Sequence, residues 1–469
     1  FENADWPNGY RDIDPFESYR QVFNGALSMF DNPELIFSRG QNQGDRNLAD
    51  MVLHQLPTSA NGWNTHGMTQ KMCDAYYMYN GSEFNRQTFL DTCQVENRFV
   101  SEKEGKAGTY PYLKKGVWKE YAWREPRFYA SVAFNGCVWP LLNNSTLKDP
   151  KPVEQQVFYY RGNGNGYTNS NFWLRTGIGI MKFVHPDDTS AAKGNKDYVK
   201  LKTEPAIRFA EILLIYAEAL NELNNGATPE AEKAVEDVRL RAFNNDASKV
   251  GTIPSGYEEF RNFIIQERKL ELSNEGLRKS DLARWGILVD YLTTEKEKLV
   301  QLAKREGRYA NVDVYRAYKL ASTPSFADPT IALPYISITE QDLVDMGLSE
   351  NDLTTMHTLN SGSKGAIKRK FFEADGKVYF KSEDVPADAK KVEEVEYTIL
   401  NMFSINSIKQ KGNLCVEDVE GLSSNNAWIT GKTGVFYGMK KNMVEILPFS
   451  TTNIIDVNPG LAGQQHPSY

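Results

Sequence analysis

No stretch of this chain approaches the roughly 18 consecutive apolar residues that a membrane span requires. No basic segment leads into an apolar run at its start, so a signal peptide is not expected within this stretch. The opening FENADWPNGYRDIDPF reads like the middle of a domain, so a removed leader or a fragment is expected. Cysteine is scarce: Cys73, Cys93, Cys137 and Cys415 form no CxxC pair, which leaves zinc-ribbon and thioredoxin readings without support. An even count permits one or two disulfides, and free thiols fit equally well. Also missing are HExxH, GxSxG, a Walker A loop and an EF-hand loop. Histidines 54, 66, 185, 357 and 466 show no metal-ligand spacing, so neither metal nor cofactor is expected. Nor is there a basic excess: 54 Lys and Arg against 61 Asp and Glu leave −7, which argues against general nucleic-acid binding.

What is present fits a folded protein. Hydrophobic residues make up 41% and charged residues 25%, too balanced a mixture for wholesale disorder. At 469 residues, two or three packed subdomains or one large irregular unit are expected. Aromatics reach 12%, with 24 Phe, 24 Tyr and 8 Trp. Many stand among Asn and Gly, so they are not all core.

The first 204 residues are irregular. Short β-like runs, 34–37, 128–134 and 156–160, are separated by Asn, Gly and Pro loops. A helix-like piece covers 69–79. The glycines Gly162, Gly164 and Gly166 follow no buried strand and precede no helix, so they read as a flexible loop.

The character changes at Pro205, and 205–305 reads as helical pairs. Apolar positions 209, 212, 213, 216, 219, 220 and 223 follow the helical period, and others fill the remaining sides, predicting a helix buried nearly all round. It stops at Asn224-Asn225-Gly226, and Thr228 caps a second helix with Pro229 in its first turn. Ala231, Ala234, Val235, Val238 and Ala242 form its inner stripe. The small alanines allow a close, tetratricopeptide-like pairing. A second pair is expected from helices over 257–274 and 277–302, broken at Gly276. The remainder, 306–469, is a mixed C-terminal lobe with a hairpin around Asp375-Gly376 and a Pro/Asn-rich tail.

Carboxylates lie in stripes on these helices, Glu211, Glu218 and Glu222 on one and Glu267, Glu271 and Glu275 on another. Glycosidases use paired carboxylates. Here arginines accompany them at 208, 239, 241, 268, 278 and 284, the pattern of a satisfied ion-pair network. Glu267, Arg268, Glu271, Arg278 and Asp281 are expected to link two helices around Gly276.

The same segments carry a resemblance. Residues 208–222, RFAEILLIYAEALNE, resemble a signature of the SusD/RagB family. So do Glu267-Arg268, Glu271-Leu272, Glu275-Gly276, Arg278, Asp281-Leu282 and Arg284-Trp285. Arg124-Glu125-Pro126-Arg127-Phe128 is similar to the family's RDPR element, and Thr69-Gln70 with Asp74-Ala75-Tyr76 to its TQ element. The ending matches at Leu447-Pro448-Phe449, Asn458-Pro459 and Pro467-Ser468-Tyr469. The resemblance implies a mainly α fold of tetratricopeptide-like pairs with a loop-rich lobe of short strands. It implies a non-enzymatic, lipid-anchored protein on the outer face of the outer membrane. Such a protein passes oligosaccharides, or peptides in the RagB branch, to a SusC-like TonB-dependent transporter. It also implies a preceding N-terminal helical region, with the lipidated cysteine, that this chain does not include. A glycoside hydrolase and a pure protein scaffold are the other readings.

A saccharide site needs an exposed flat aromatic with amide or charged partners at its edge. Asn61, Trp63, Asn64 and His66 form one such loop, and Trp63 is expected to be partly exposed at the edge of a shallow groove. Trp118 and Trp123 lie in a second polar loop with Tyr121, Trp139 follows a strand-like run, and Tyr167 and Trp173 share a third loop. Trp285, ending a helix, is expected in the core.

Overall fold

The computed structural model describes residues 15–39, 47–93, 98–141, 153–159, 165–166, 174, 176–188, 199–304, 306–307, 315–319, 335–348 and 366–401. The chain divides into two compact units, one comprising 1–274 and 325–332, the other 275–324 and 333–469.

The first unit carries α1 (Pro15–Arg20), β1 (Leu35–Arg39), α2 (Asn47–Gln55), α3 (Gln70–Ala75), α4 (Arg86–Thr92), α5 (Glu102–Ala107) and α6 (Pro126–Ser131). Then come β2 (Val132–Ala133), β3 (Cys137–Leu141), β4 (Val153–Val157), β5 (Gly179–Ile180), β6 (Glu204–Arg208), α7 (Phe209–Asn224), α8 (Pro229–Ala242) and α9 (Tyr257–Glu271). The strands form antiparallel pairs: β1 with β6, β2 with β5, β3 with β4. Residues 128–131, read as strand, are helix because Pro126 occupies the first turn and presets its φ.

Helices α7 and α8 behave as their caps dictate. Asn225 ends α7 in the left-handed conformation, and the Thr228 hydroxyl accepts from the Ala231 N–H to start α8. The buried stripe of α7 is Ala210, Leu214, Ala217 and Asn221. The small alanines let it meet Ala231, Ala234, Val235 and Val238 of α8 and Phe260 and Ile264 of α9 in one core. The expectation of burial all round fails. Phe209, Ile212, Ile215, Tyr216 and Leu223 are exposed, the last at 80%. The face with the larger apolar residues is the outer one.

Beneath the helices lies a buried ion network. Arg127, fully buried, sends Nε to Glu125 at 2.7 Å and Nη1 to Glu267 at 2.6 Å and Glu271 at 2.9 Å. Glu267 also receives Arg239 at 2.8 Å. Glu271 receives Arg208 at 2.8 Å, and Arg241 as well. Burial pushes the Glu271 carboxyl up, and Arg241, Arg208 and Arg127 more than reverse that, holding it well below the usual carboxylate range. Burial likewise raises Glu267, and Arg127 and Arg239 turn the net shift downward. The expected network exists with different partners: its arginines come from α6, β6 and α8, while Arg268 reaches Glu211 at 3.5 Å and Asp281 pairs with Arg284 at 3.0 Å.

The second unit carries α10 (Arg278–Arg284), α11 (Leu288–Lys304), β7 (Tyr315–Tyr318), β8 (Ile336–Ile338), α12 (Glu340–Asp345), β9 (Ala366–Ala374), β10 (Lys377–Tyr379) and β11 (Val392–Asn401). The helix expected over 277–302 is divided, because Gly286 takes φ +70° between α10 and α11. Trp285 is half-buried with the Arg284 guanidinium 4.6 Å from its ring, not a core residue. The strands form one sheet in the order β10-β9-β11-β7-β8. Asp375 and Gly376, at φ +48° and +79°, make the tight turn of the expected hairpin.

Breaking one partner of a buried ion network strands the others without water. Arg127→Ala should therefore cost about 3–5 kcal/mol in chemical denaturation. A loss under about 1 kcal/mol would show that the network contributes little.

Candidate functional site

The segment Trp123–Arg127 joins the ion network to the surface. The Glu125 N–H donates to the Tyr77 carbonyl at 3.0 Å, and the Glu125 carboxylate accepts the Tyr77 N–H at 3.0 Å. Arg124 is buried and donates to the carbonyls of Cys73 and Tyr76, the latter at 2.8 Å. One residue earlier, Trp123 turns outward. Its carbonyl accepts the Tyr79 N–H at 2.7 Å, and its φ is +57°.

That φ matters. Side chains other than Gly, Asn and Asp pay roughly 1–2 kcal/mol for left-handed backbone. Among the described residues only Tyr112 (φ +64°) and Trp123 adopt it without being Gly, Asn or Asp. Both line the same open depression of about 160 Å³, with Tyr79, Asn244 and Lys249. Trp123 is 40% exposed and Tyr79 47%, their ring centroids 5.3 Å apart. The Lys249 ammonium stands 5.8 Å over the Tyr79 ring and pairs with Asp246 at 3.2 Å. Gly81 (φ +83°) permits this meeting: a Cβ there would come within 1.9 Å of the Lys249 carbonyl oxygen. The result is an outward aromatic platform with an amide and an ammonium at its rim, and no carboxylate in its lining. Such a surface can pack against the C–H face of a sugar ring while the rim meets hydroxyls.

The other expected ligand residues fall differently. Trp63 is half-buried, packed on the core with the His54 ring edge-on at 4.4 Å. Asn61 is half-buried beside it and closes a short 3₁₀ turn at φ +61°. His66 is half-buried and stacks on His54 at 4.8 Å. Asn64 is buried instead, because its side-chain amide donates to the Asn165 carbonyl at 2.7 Å. Trp139 is buried too, on the inward face of β3, with its indole N–H donating to the Tyr159 hydroxyl at 2.9 Å. Neither can take part in a surface site as placed. Trp118 is half-buried against Phe99 at 5.8 Å, and Tyr121 is buried. Tyr167 and Trp173 lie outside the described residues, as do Gly162 and Gly164 of the glycine loop. Cys73, Cys93 and Cys137 are free thiols.

Tyr79, Tyr112, Asn244 and Lys249 were not among the residues singled out from the sequence. The available signal was Asn80-Gly81, a turn that pushes its neighbour Tyr79 outward.

The stacked histidines are a titratable feature of the Trp63 loop. Burial lowers His54, with Asp50 opposing, and burial and then His54 lower His66. A depressed histidine gives stability that is present above the ordinary value of 6.5 and lost as pH falls through the folded-state value. The thermal midpoint should therefore drop on acidification below about 6.5. His66→Gln should flatten that drop, and an unchanged slope would show that the pair does not titrate in this way.

Three comparisons bear on identity. The family model described as the SusD family matches residues 33–343. Two SusD-like proteins of Formosa agariphila, P25 and P38, are 42% identical over 85 residues and 36% identical over 108 residues. These stretches are 18% and 20% of this chain and 15% and 21% of those proteins. A SusD-like protein from Bacteroides fragilis, 25% identical, covers 60% of this chain and 49% of its own, with a TM-score of 0.43. A SusD-like carbohydrate-binding protein from the same organism, 20% identical, covers 58% and 45% at a TM-score of 0.42. The chain thus spans about half the length of those solved structures and a smaller share of the curated relatives. With the family model matched over most of the span from β1 through α12, and both helical signatures inside it, the chain belongs to the SusD family.

Proposed function

We propose that this chain captures oligosaccharides at the depression of Tyr79, Trp123, Asn244 and Lys249. The observation that carries the reading is the strained pair, Tyr112 and Trp123, converging on one open aromatic surface. A fold relaxes such backbone unless its surroundings hold it, and the strain here keeps an indole in water. Family membership supports a saccharide as the ligand class. The α9 carboxylates are paired with arginines in the buried network, and the residues described around the depression include no carboxylate, which supports binding without cleavage.

In its cellular setting the protein would hold ligand on the outer face of the outer membrane and pass it to a SusC-like TonB-dependent transporter. A lipid anchor would tether it. No described helix is long and apolar enough to cross a membrane. Stacking of one or two rings supplies only a few kcal/mol, so dissociation constants in the micromolar to millimolar range are expected.

Calorimetric titration of neutral and acidic oligosaccharides and a peptide library tests this. Trp123→Ala should weaken saccharide binding about tenfold or more, with the thermal midpoint nearly unchanged. No reducing ends should accumulate. Saccharide binding indifferent to Trp123→Ala, or binding of peptides alone, would overturn the reading.

A further inference from the structure

We propose that the Trp123 depression takes an acidic saccharide, one carrying a uronate carboxylate, in preference to its neutral counterpart. The inference rests on the reading above and names the ligand class more narrowly. Two cations carry it, Lys249 and Arg124, and both line the depression.

Lys249 is presented by a held loop. Arg239, tied to Glu267 at 2.8 Å, donates from Nε to the Val250 carbonyl at 2.7 Å and lies 5.4 Å from the Phe243 ring. Those contacts fix both ends of the segment 243–250, and the close approach of Gly81 fixes the Lys249 backbone from another side. The ammonium end stays adjustable. Its partner Asp246 is about as exposed as Lys249 itself, and exposed pairs of this kind exchange readily. Asp246 keeps other partners: its Oδ1 accepts the Ser248 N–H at 3.0 Å and the Ser248 hydroxyl at 2.5 Å. A ligand carboxylate can therefore take the ammonium while Asp246 goes on capping its turn. Asn244, exposed on the same loop, brings an amide that can donate to the second carboxylate oxygen.

Arg124 adds positive charge from within the fold. It is 3% exposed, with its guanidinium 4.2 Å from the Phe84 ring and 4.8 Å from the Phe128 ring. It donates to the carbonyls of Glu120, Cys73 and Tyr76, which carry no net charge. The carboxylates of Asp74 and Glu120 both go to Arg86, each at 2.6 Å. Burial pulls the Arg124 guanidinium below its ordinary value against the opposing pull of Tyr129 and Asp74, as befits a cation short of counter-charge. Water screens a buried charge poorly, so its field reaches the depression. A uronate on a ring stacked against Trp123 supplies the opposite sign. A hydroxymethyl group in the same place supplies hydrogen bonds alone.

The test is calorimetric titration of the chain with oligogalacturonate, oligoalginate and glucuronoxylan oligosaccharides, each as the free acid and as its methyl ester, and with neutral xylo- and malto-oligosaccharides. The ester keeps the ring, the linkage and the stacking face and loses only the charge. At least one free acid should bind about tenfold more tightly than its ester at low salt, and about 0.5 M salt should narrow that ratio to roughly threefold or less. Lys249→Met should bring acid and ester within about twofold of each other, and Lys249→Arg, which keeps the charge, should keep the ratio. If esters bind as well as acids, or the ratio survives Lys249→Met, the inference fails, and the reading above stands wherever Trp123→Ala still weakens binding about tenfold. If neutral sugars alone bind, through Trp123, the inference fails and that reading stands. If the acid preference depends on Lys249 but Trp123→Ala changes nothing, charge selection holds and the stacking reading fails. If none of these sugars binds, both fail.

Discussion

Arg127 is fully buried and touches three carboxylates. A guanidinium in that position is tolerable only because its charge is met on several sides, and each glutamate in turn needs its arginines. Glu267 and Glu271 stand one turn apart on α9, so one helix face collects arginines from α6, α8 and the end of β6. Those elements cannot shift independently without exposing a buried charge to an apolar neighbour. The Tyr19 hydroxyl adds a further tie, donating to the Glu271 carbonyl at 2.7 Å and receiving the Lys182 ammonium at 2.8 Å.

The same constraint explains how a surface ring is held in an unfavourable backbone. The chain from Trp123 to Arg127 has its inner end in the ion network and its middle fixed by Arg124 on two carbonyls. With Glu125 bonded to Tyr77 from backbone and side chain alike, the turn carrying Tyr79 is pinned to the same segment. Trp123 is the residue left to absorb the geometry. Scaffold and candidate site are thus one covalent stretch, with the buried charges at one end and the exposed indole at the other.

Much of this was legible in the residues, though unevenly. Thr228 and Pro229 mark the start of α8, and its small apolar stripe is the buried one. Carboxylates interleaved with arginines on packed helices signal ion pairing, but periodicity cannot say which arginine meets which glutamate. That depends on β6 and α6, which lie far away in sequence. The strand reading of 128–134 overlooked Pro126. On α7 the alanines, not the isoleucines, face the partner helices, because close packing selects for small volume. At the site, composition led to Trp123 but also to Trp139 and Asn64. No local pattern separates an indole that caps a loop from one that a strand carries inward. Tyr79 and Lys249 join Trp123 only through folding, so a pass along the chain cannot collect them.

If buried charges hold Trp123 in its strained, outward conformation, its side chain contributes little to the fold. The thermal midpoint of Trp123→Gly measures this directly. Glycine accepts φ +57° freely, recovering roughly 1–2 kcal/mol of strain, while its extra unfolded-state entropy costs about 0.5–1 kcal/mol. With the loss of a half-exposed ring added, stability is expected within about 1 kcal/mol of wild type, a shift of a few degrees at most. A loss of about 3–5 kcal/mol, the cost of removing a buried aromatic, would contradict it.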